Sequence, residues 1–263
     1  MTQIKATQVK AVFFDVDGTL FSFKEHQEPA STREAVRKLH AAGIIPILAT
    51  GRPIYQLSGI DQEPFDTYIT LNGQYCFSQH GVYHNVPIDK TDVEAIVNYG
   101  LTNGIPTLCM QKDKFYISAR NERVKKLESM IGMTYTCEDI TQALNQEIYQ
   151  FNVYQEPSRD DDLLSRTHCL ATARWTDLFA DVFPQQGGKA PAVIKTMEHL
   201  GITADEALAF GDGGNDLGMF SLVGTSIAMG NADEKVKEQA TMVTEDVDNH
   251  GIYNACVRLG LID

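Results

Sequence analysis

The sequence predicts a doubly wound α/β protein, a parallel-sheet core interrupted by an inserted α+β unit. Three observations carry that expectation. At both ends of the chain, short uninterrupted apolar runs alternate with helical stretches, as in parallel strands covered on both faces. The middle instead holds paired strand-like runs joined by short polar turns, which implies antiparallel pairing. Several of the terminal apolar runs end in acidic or small polar residues, and the carboxyl ends of strands are where open parallel sheets form their ligand crevice.

Taken in order, Val9 to Phe14 reads as a buried strand and Ser31 to Ala42 as a helix, with Ser31 or Thr32 as its cap and Gly43 as its stop. Ile44 to Ala49 and Thr67 to Leu71 are two further strands, the last running into Asn72-Gly73. In the middle, Lys90 to Gly100 is helical, Thr107 to Ser118 is a hairpin turning at Lys112-Asp113, and Asn121 to Ile131 is a second helix. Ile148 to Tyr154 is a strand and Arg159 to Ser165 a helix start, before two strands, Leu170 to Trp175 and Leu178 to Phe183. After Gly187-Gly188 the first style returns. Pro191 to Leu200 is a helix with its proline in the first turn, where a missing N–H costs little. Then come a strand (Ala207 to Phe210), a helix (Asp216 to Leu222), a strand (Ser226 to Met229), and helices at Asp233 to Ala240 and Ile252 to Leu259. The simplest organisation is a core of residues 1–83 and 186–263 with residues 84–185 inserted.

Composition narrows the function. The 263 residues are 43% hydrophobic and 22% charged, as in a globular chain with a sizeable core. A net charge of −13 weighs against nucleic acid and anionic membranes as partners. No apolar run approaches the ~20 residues that span a bilayer, and the N-terminus lacks the apolar core of a signal peptide. Five scattered cysteines without a CxxC pair suit free thiols in a reducing compartment. A cytoplasmic protein, monomeric or weakly self-associating, is the expectation.

Four stretches carry candidate chemistry. "FFDVDGT" ends a strand in Asp15 and Asp17. A turn explains such a tip. A calcium loop does not, because its sixth and twelfth positions would be Leu20 and His26 instead of glycine and glutamate. A nucleophile paired with a proton carrier also explains it, provided a cation offsets the two like charges. "ILATGRP" repeats the design with Thr50 and Gly51, a hydroxyl and an amide suited to an oxyanion. "GGKAPAV" sets Lys189 at a helix start; it is no Walker loop, since Phe183 stands at the first glycine position and Ala190 follows the lysine. "LAFGDGGNDLGMF" runs a strand into Asp212, Asn215 and Asp216; it is no dinucleotide fingerprint, since Asp216 takes the final glycine's place. Its acids suit a hard divalent cation.

In this order and at these positions, Asp15-Val16-Asp17-Gly18-Thr19, Thr50, Lys189 and Gly211 to Asp216 resemble the four motifs of the haloacid dehalogenase superfamily. The mixed insertion between the second and third motifs resembles the Cof-type phosphatase branch (subclass IIB, with a C2-type cap). The resemblance spans nearly the whole chain, and Asn72-Gly73 resembles a loop of that branch.

The resemblance implies a phosphatase acting on small phosphate monoesters, sugar phosphates or phosphorylated cofactors, through an aspartyl-phosphate. Asp15 would be the nucleophile and Asp17 the general acid and base. Thr50, Gly51, Lys189 and Asn215 would hold the phosphoryl group. Mg²⁺ would sit on Asp15, the main-chain carbonyl of Asp17, and Asp212, with Asp216 acting through water or by orienting Lys189. The insertion would be a cap contacting the leaving group. Within it Arg174 and Trp175 suit a sugar or second phosphate no better than they suit packing, and His168, Lys112 and Lys114 carry less. The ending Asp248-Asn249-His250-Gly251 matches the branch loosely. A phosphomutase of the same superfamily, or a regulator that binds a phosphorylated metabolite without turnover, are the alternatives.

Overall fold

The computed structural model describes residues 9–174 and 176–263; Trp175 and the first eight residues, which enter the sequence reading, lie outside them. In chain order the elements are β1 (Ala11–Phe14), α1 (Ala30–Ala41), β2 (Ile45–Ala49), β3 (Thr67–Thr70), β4 (Tyr75–Ser78) and β5 (Gly81–Asn85). Next come α2 (Lys90–Asn103), β6 (Thr107–Met110), β7 (Phe115–Ile117), α3 (Glu122–Ile131), β8 (Gln150–Val153), α4 (Asp160–Leu164), β9 (Leu170–Ala173) and β10 (Ala180–Pro184). The chain finishes with α5 (Lys189–Leu200), β11 (Ala207–Gly211), α6 (Leu217–Phe220), β12 (Thr225–Ala228), α7 (Glu234–Lys237), β13 (Met242–Val243) and α8 (Gly251–Arg258).

These elements form two compact units. The first contains Met1–Arg52, Gln56–His84 and Lys189–Asp263; the second contains Pro53–Tyr55 and Asn85–Gly188.

The first unit is built on an eight-stranded sheet in the order β13-β12-β11-β1-β2-β3-β4-β5. From β13 to β3 all neighbours are parallel. All four residues of β1 are inaccessible to solvent, which is why the strand reads as an unbroken apolar run. Its side chains alternate between faces. Ala11 and Phe13 join a core with Ala192 and Val193 of α5. Phe14 turns the other way, stacking on Phe210 at 5.3 Å and meeting Phe65 edge-on at 6.4 Å.

Beyond this parallel core the sheet is extended by a strand of opposite direction, β4 running antiparallel to β3. Leu71 and Asn72 take left-handed backbone conformations that reverse the chain there. The return strands are only partly buried, so no apolar run marks them. At α1, neither Ser31 nor Thr32 is the cap. The helix starts one residue after Pro29, whose backbone stands at the N-cap without any side-chain bond. Thr32 is buried within the helix, and Ser31 Oγ lies 2.8 Å from His250 Nδ1.

The second unit is a five-stranded antiparallel sheet ordered β7-β6-β8-β10-β9. Phe151 and Val153 of β8 face a core with Val93, Ile96 and Val97 of α2. The β6–β7 turn closes with Gln111 N–H donating to Lys114 O at 2.9 Å. Asn121 caps α3 by accepting from Val124 N–H at 3.1 Å. Helix α2 runs through Gly100 to Asn103, beyond its expected end. No helix among the described residues is long and apolar enough to cross a membrane.

Candidate active site

Strand β1 delivers Asp15 one residue past its last ladder position, with the Asp15 N–H still donating to Phe210 O on β11 at 3.1 Å. The chain then folds into a tight loop, closed by Phe21 N–H to Val16 O at 2.7 Å and Gly18 N–H to Phe21 O at 3.0 Å. This turn separates the two aspartates. Asp15 is 5% exposed, whereas the Asp17 side chain is 37% exposed and is held by both carboxylate oxygens on Arg52.

Lys189, the first residue of α5, reaches the tip of β1 with its side chain fully buried. Its ammonium group donates to Asp15 Oδ1 and, at 2.6 Å, to Asp216 Oδ1. The other Asp216 oxygen accepts from the Asp212 and Gly213 N–H groups at 3.1 and 3.0 Å. Asp216 therefore fixes the loop after β11 and the lysine at once. Thr19 Oγ1 donates to Asp212 Oδ1 at 3.2 Å. Asp15, Asp212 and Asp216 each direct a carboxylate oxygen into one cluster, within 4.8 Å of one another.

Burial pushes the Asp15 carboxyl well above the usual carboxylate range, and the Asp216 charge adds to it against the pull of Lys189. Burial, again with Asp216, pushes Asp212 up to about 7. Burial opposes charge on Lys189 as well, but Asp15 and Asp216 outweigh it and hold the lysine more strongly protonated than usual. Three carboxylates thus face one ammonium group in a site largely shielded from water. A hard divalent cation meets what this donor set lacks: oxygen ligands are present and positive charge is short.

Thr50, one residue past β2, is 1% exposed. Its hydroxyl accepts from Arg52 N–H at 3.0 Å and keeps its own proton to donate. Its carbonyl accepts from Asn72 N–H at 3.0 Å, and Arg52 O accepts from Leu71 N–H at 3.2 Å, so the left-handed reversal after β3 braces the Thr50–Gly51–Arg52 loop. Asn215 stands apart. It is exposed in the 3₁₀ turn Gly214–Asp216, and among the described residues no bond links its carboxamide to the lysine network.

The structure also shows residues that the sequence reading passed over. Arg52 lay in plain view in "TGRP" but read as loop; its guanidinium stacks over Phe21 at 4.7 Å and donates to Gln56 O at 3.0 Å as well as to Asp17. Asn231 follows β12 in "TSIAMGNAD", the same strand-then-polar pattern as the other tips, and donates to Gly18 O at 2.8 Å. In the second unit Arg174 is paired bidentately with Asp160 at 2.6 and 2.7 Å. His168 Nδ1 lies 3.0 Å from the buried Asp92, and Lys114 is 5.1 Å from the Tyr116 ring.

Residues 12–256 match the family model of the haloacid dehalogenase-like hydrolases. The chain is 30% identical over 255 residues to YkrA of Bacillus subtilis, covering 96% of this chain and 98% of that protein. It is 25% identical over 276 residues to the 5-amino-6-(5-phospho-D-ribitylamino)uracil phosphatase YwtE of the same organism, covering 93% and 96%. Among solved structures, the subclass IIB sugar phosphatase BT4131 superposes with a TM-score of 0.89 at 33% identity, over 97% of this chain and all of that one. The phosphatase BT1666 of Bacteroides thetaiotaomicron does so at 0.89 and 31%, over 97% and 96%. The family match runs from β1 into α8 and takes in every strand tip described above, and the similar proteins carry phosphatase names. The chain belongs to the haloacid dehalogenase-like hydrolases and is a phosphoric monoester hydrolase.

Proposed function

We propose that the protein is a Mg²⁺-dependent phosphatase of small phosphate monoesters, sugar phosphates among them, and that it works through an aspartyl-phosphate on Asp15. The observation that supports this most directly is the buried lysine bridge: Lys189 Nζ binds one oxygen of Asp15 and one of Asp216. It holds the Asp15 carboxylate in place and puts positive charge where a phosphoryl group would be transferred.

In this reading Asp15 attacks phosphorus, the bond from phosphorus to the ester oxygen breaks, and Asp17 gives its proton to that oxygen. Asp17 then takes a proton from the water that cleaves the aspartyl-phosphate, releasing phosphate and restoring Asp15. Thr50, the Gly51 N–H, Lys189 and Asn215 hold the phosphoryl oxygens. Asp15, the Asp17 carbonyl and Asp212 hold Mg²⁺, while Asp216 orients Lys189 and the backbone of the Asp212 loop. Bound Mg²⁺ offsets the charge of the carboxylates and of the phosphoryl oxygens. The sugar phosphatase activity named for BT4131 makes sugar phosphates the first substrates to try.

A phosphate-release screen over phosphorylated metabolites with added Mg²⁺ tests this reading. The expected result is turnover that is abolished by chelation and by Asp15→Asn. Undiminished activity in either condition removes the corresponding assignment. Phosphate released in step with substrate consumed separates hydrolysis from a phosphomutase, which returns the group to its substrate.

A further inference from the structure

Asn231 lies just beyond β12, and three parts of the first unit meet on its carboxamide. Its Nδ2 donates to Gly18 O at 2.8 Å and to Asp212 Oδ2 at 3.3 Å, and its Oδ1 accepts from Val247 N–H at 2.9 Å. The orientation of the amide follows from the partners, because a carbonyl and a carboxylate only accept and a backbone N–H only donates. The backbone is shaped for this convergence. A side chain on Gly18, whose φ is +80°, would overlap the Asp212 carboxylate, and one on Gly230 would lie 2.7 Å from Asp246 N. Glycine at both positions lets the β1 loop, the β11 loop and the segment before α8 close on one amide.

The bonds made are specific. Thr19 Oγ1 holds Asp212 Oδ1 and Asn231 holds Asp212 Oδ2, so both oxygens of this carboxylate are oriented by neighbouring donors. Gly18 O belongs to the peptide next to the Asp17 carbonyl, so fixing it limits rotation of the chain that carries that carbonyl. Ser22 Oγ, which donates to Asp248 Oδ1 at 2.5 Å, ties the same loop to the segment before α8 a second time.

We infer that Asn231 is a positioning residue for the divalent cation: it sets the direction of the Asp212 carboxylate and of the Asp17–Gly18 carbonyls, and through them the affinity of the site for Mg²⁺. The inference rests on the Mg²⁺ reading above. Groups that orient metal ligands typically contribute about 10- to 100-fold in affinity, so Asn231→Ala should need at least about tenfold more Mg²⁺.

The experiment is a Mg²⁺ titration of the full-length chain followed in two ways, by the rise in melting temperature without substrate and by the rate of phosphate release. Asn231→Ala is expected to shift the half-saturating Mg²⁺ concentration upward by about tenfold or more in both, with kcat at saturating Mg²⁺ within about threefold of wild type. Asn231→Ser keeps a hydroxyl for the Val247 N–H but is too short to span Gly18 and Asp212. It should shift the same way, and it serves if the alanine variant loses its cooperative melting. A lower melting temperature with an unchanged Mg²⁺ midpoint makes Asn231 a structural tie only and overturns the inference. A wild-type protein whose stability and activity ignore Mg²⁺ removes the Mg²⁺ reading itself, and the inference with it.

Discussion

Arg52 grips both carboxylate oxygens of Asp17. The pair lies at the edge of the site, its side chains 22% and 37% exposed. The guanidinium is itself placed by the Phe21 ring and by Gln56 O. Arg52 therefore holds the proposed general acid in position.

Arg52→Ala should hurt most where protonation of the leaving group matters. General acid catalysis is worth about 10²- to 10⁴-fold, and loss of the group that positions the acid should forfeit about tenfold of it on a sugar phosphate. With p-nitrophenyl phosphate, whose leaving group needs little protonation, the loss should stay under about threefold. Equal losses in kcat on the two substrates would show that Arg52 does not act through Asp17.

Lys189→Met should be costly to the fold as well as to activity. The change leaves two buried carboxylates, Asp15 and Asp216, without their shared counter-charge. Removing one partner from such a buried cluster typically destabilises by about 3–5 kcal/mol. Denaturant unfolding without Mg²⁺ at pH 8 should show a deficit of that order. It should shrink toward lower pH, as protonation relieves Asp15, whose carboxyl is already held by burial well above the usual carboxylate range. A variant as stable as wild type at pH 8 would mean the bridge is dispensable for folding.

The raised pKa of Asp212 predicts a pH dependence of definite sign. The folded value is about 7, against 3.8 for the unperturbed group. Such a group favours folding fully below the lower value, and its contribution disappears as pH rises through the upper one. The metal-free protein should therefore lose stability from about pH 4 to pH 7 by up to ~4 kcal/mol from this residue. Asp212→Asn should flatten that part of the profile. Mg²⁺, which needs the ionised form, should bind more tightly as pH climbs through 7. Identical stability profiles for Asp212→Asn and wild type would refute the assignment.

Arg174→Ala should weaken the second unit without changing recognition. The side chain is 16% exposed and is engaged by Asp160 and by the Gln155 carbonyl. Its loss should cost on the order of 1–3 kcal/mol, since a largely buried charge loses its partner. KM for the best substrate should stay within about twofold, a change of under ~0.5 kcal/mol. A KM raised tenfold with stability intact would instead make Arg174 a substrate contact.

Much of the architecture is legible in the chain itself because burial on both sides forces a local signature. Strands β1, β2 and β11 lie inside the sheet, so their residues are apolar without alternation, and the polar residue that follows each run marks a tip. Tyr75 to Asn85 carries no such signature. Those strands extend the sheet beyond β3, with β4 antiparallel to it, and are only partly buried, so they alternate weakly and look like loop. At α1, Ser31 is a good capping residue by type, but Pro29 already sets the backbone where the helix begins.

For the site, residue order supplies the side chains: the acids, the lysine and the small polar residues that end adjacent strands. How they pair is set by the fold. Lys189 stands 174 positions from Asp15 and 27 from Asp216 yet binds both, because parallel strand order brings their carboxyl ends to one edge. Folding also sent the two aspartates of "FFDVDGT" to different partners, Asp15 to the buried lysine and Asp17 to Arg52, since the loop between them turns their side chains apart. It drew Asn231 onto the Gly18 carbonyl from 213 positions away. Residue type limits what chemistry a position can do. Distance and burial, which exist only in the fold, decide which groups do it together.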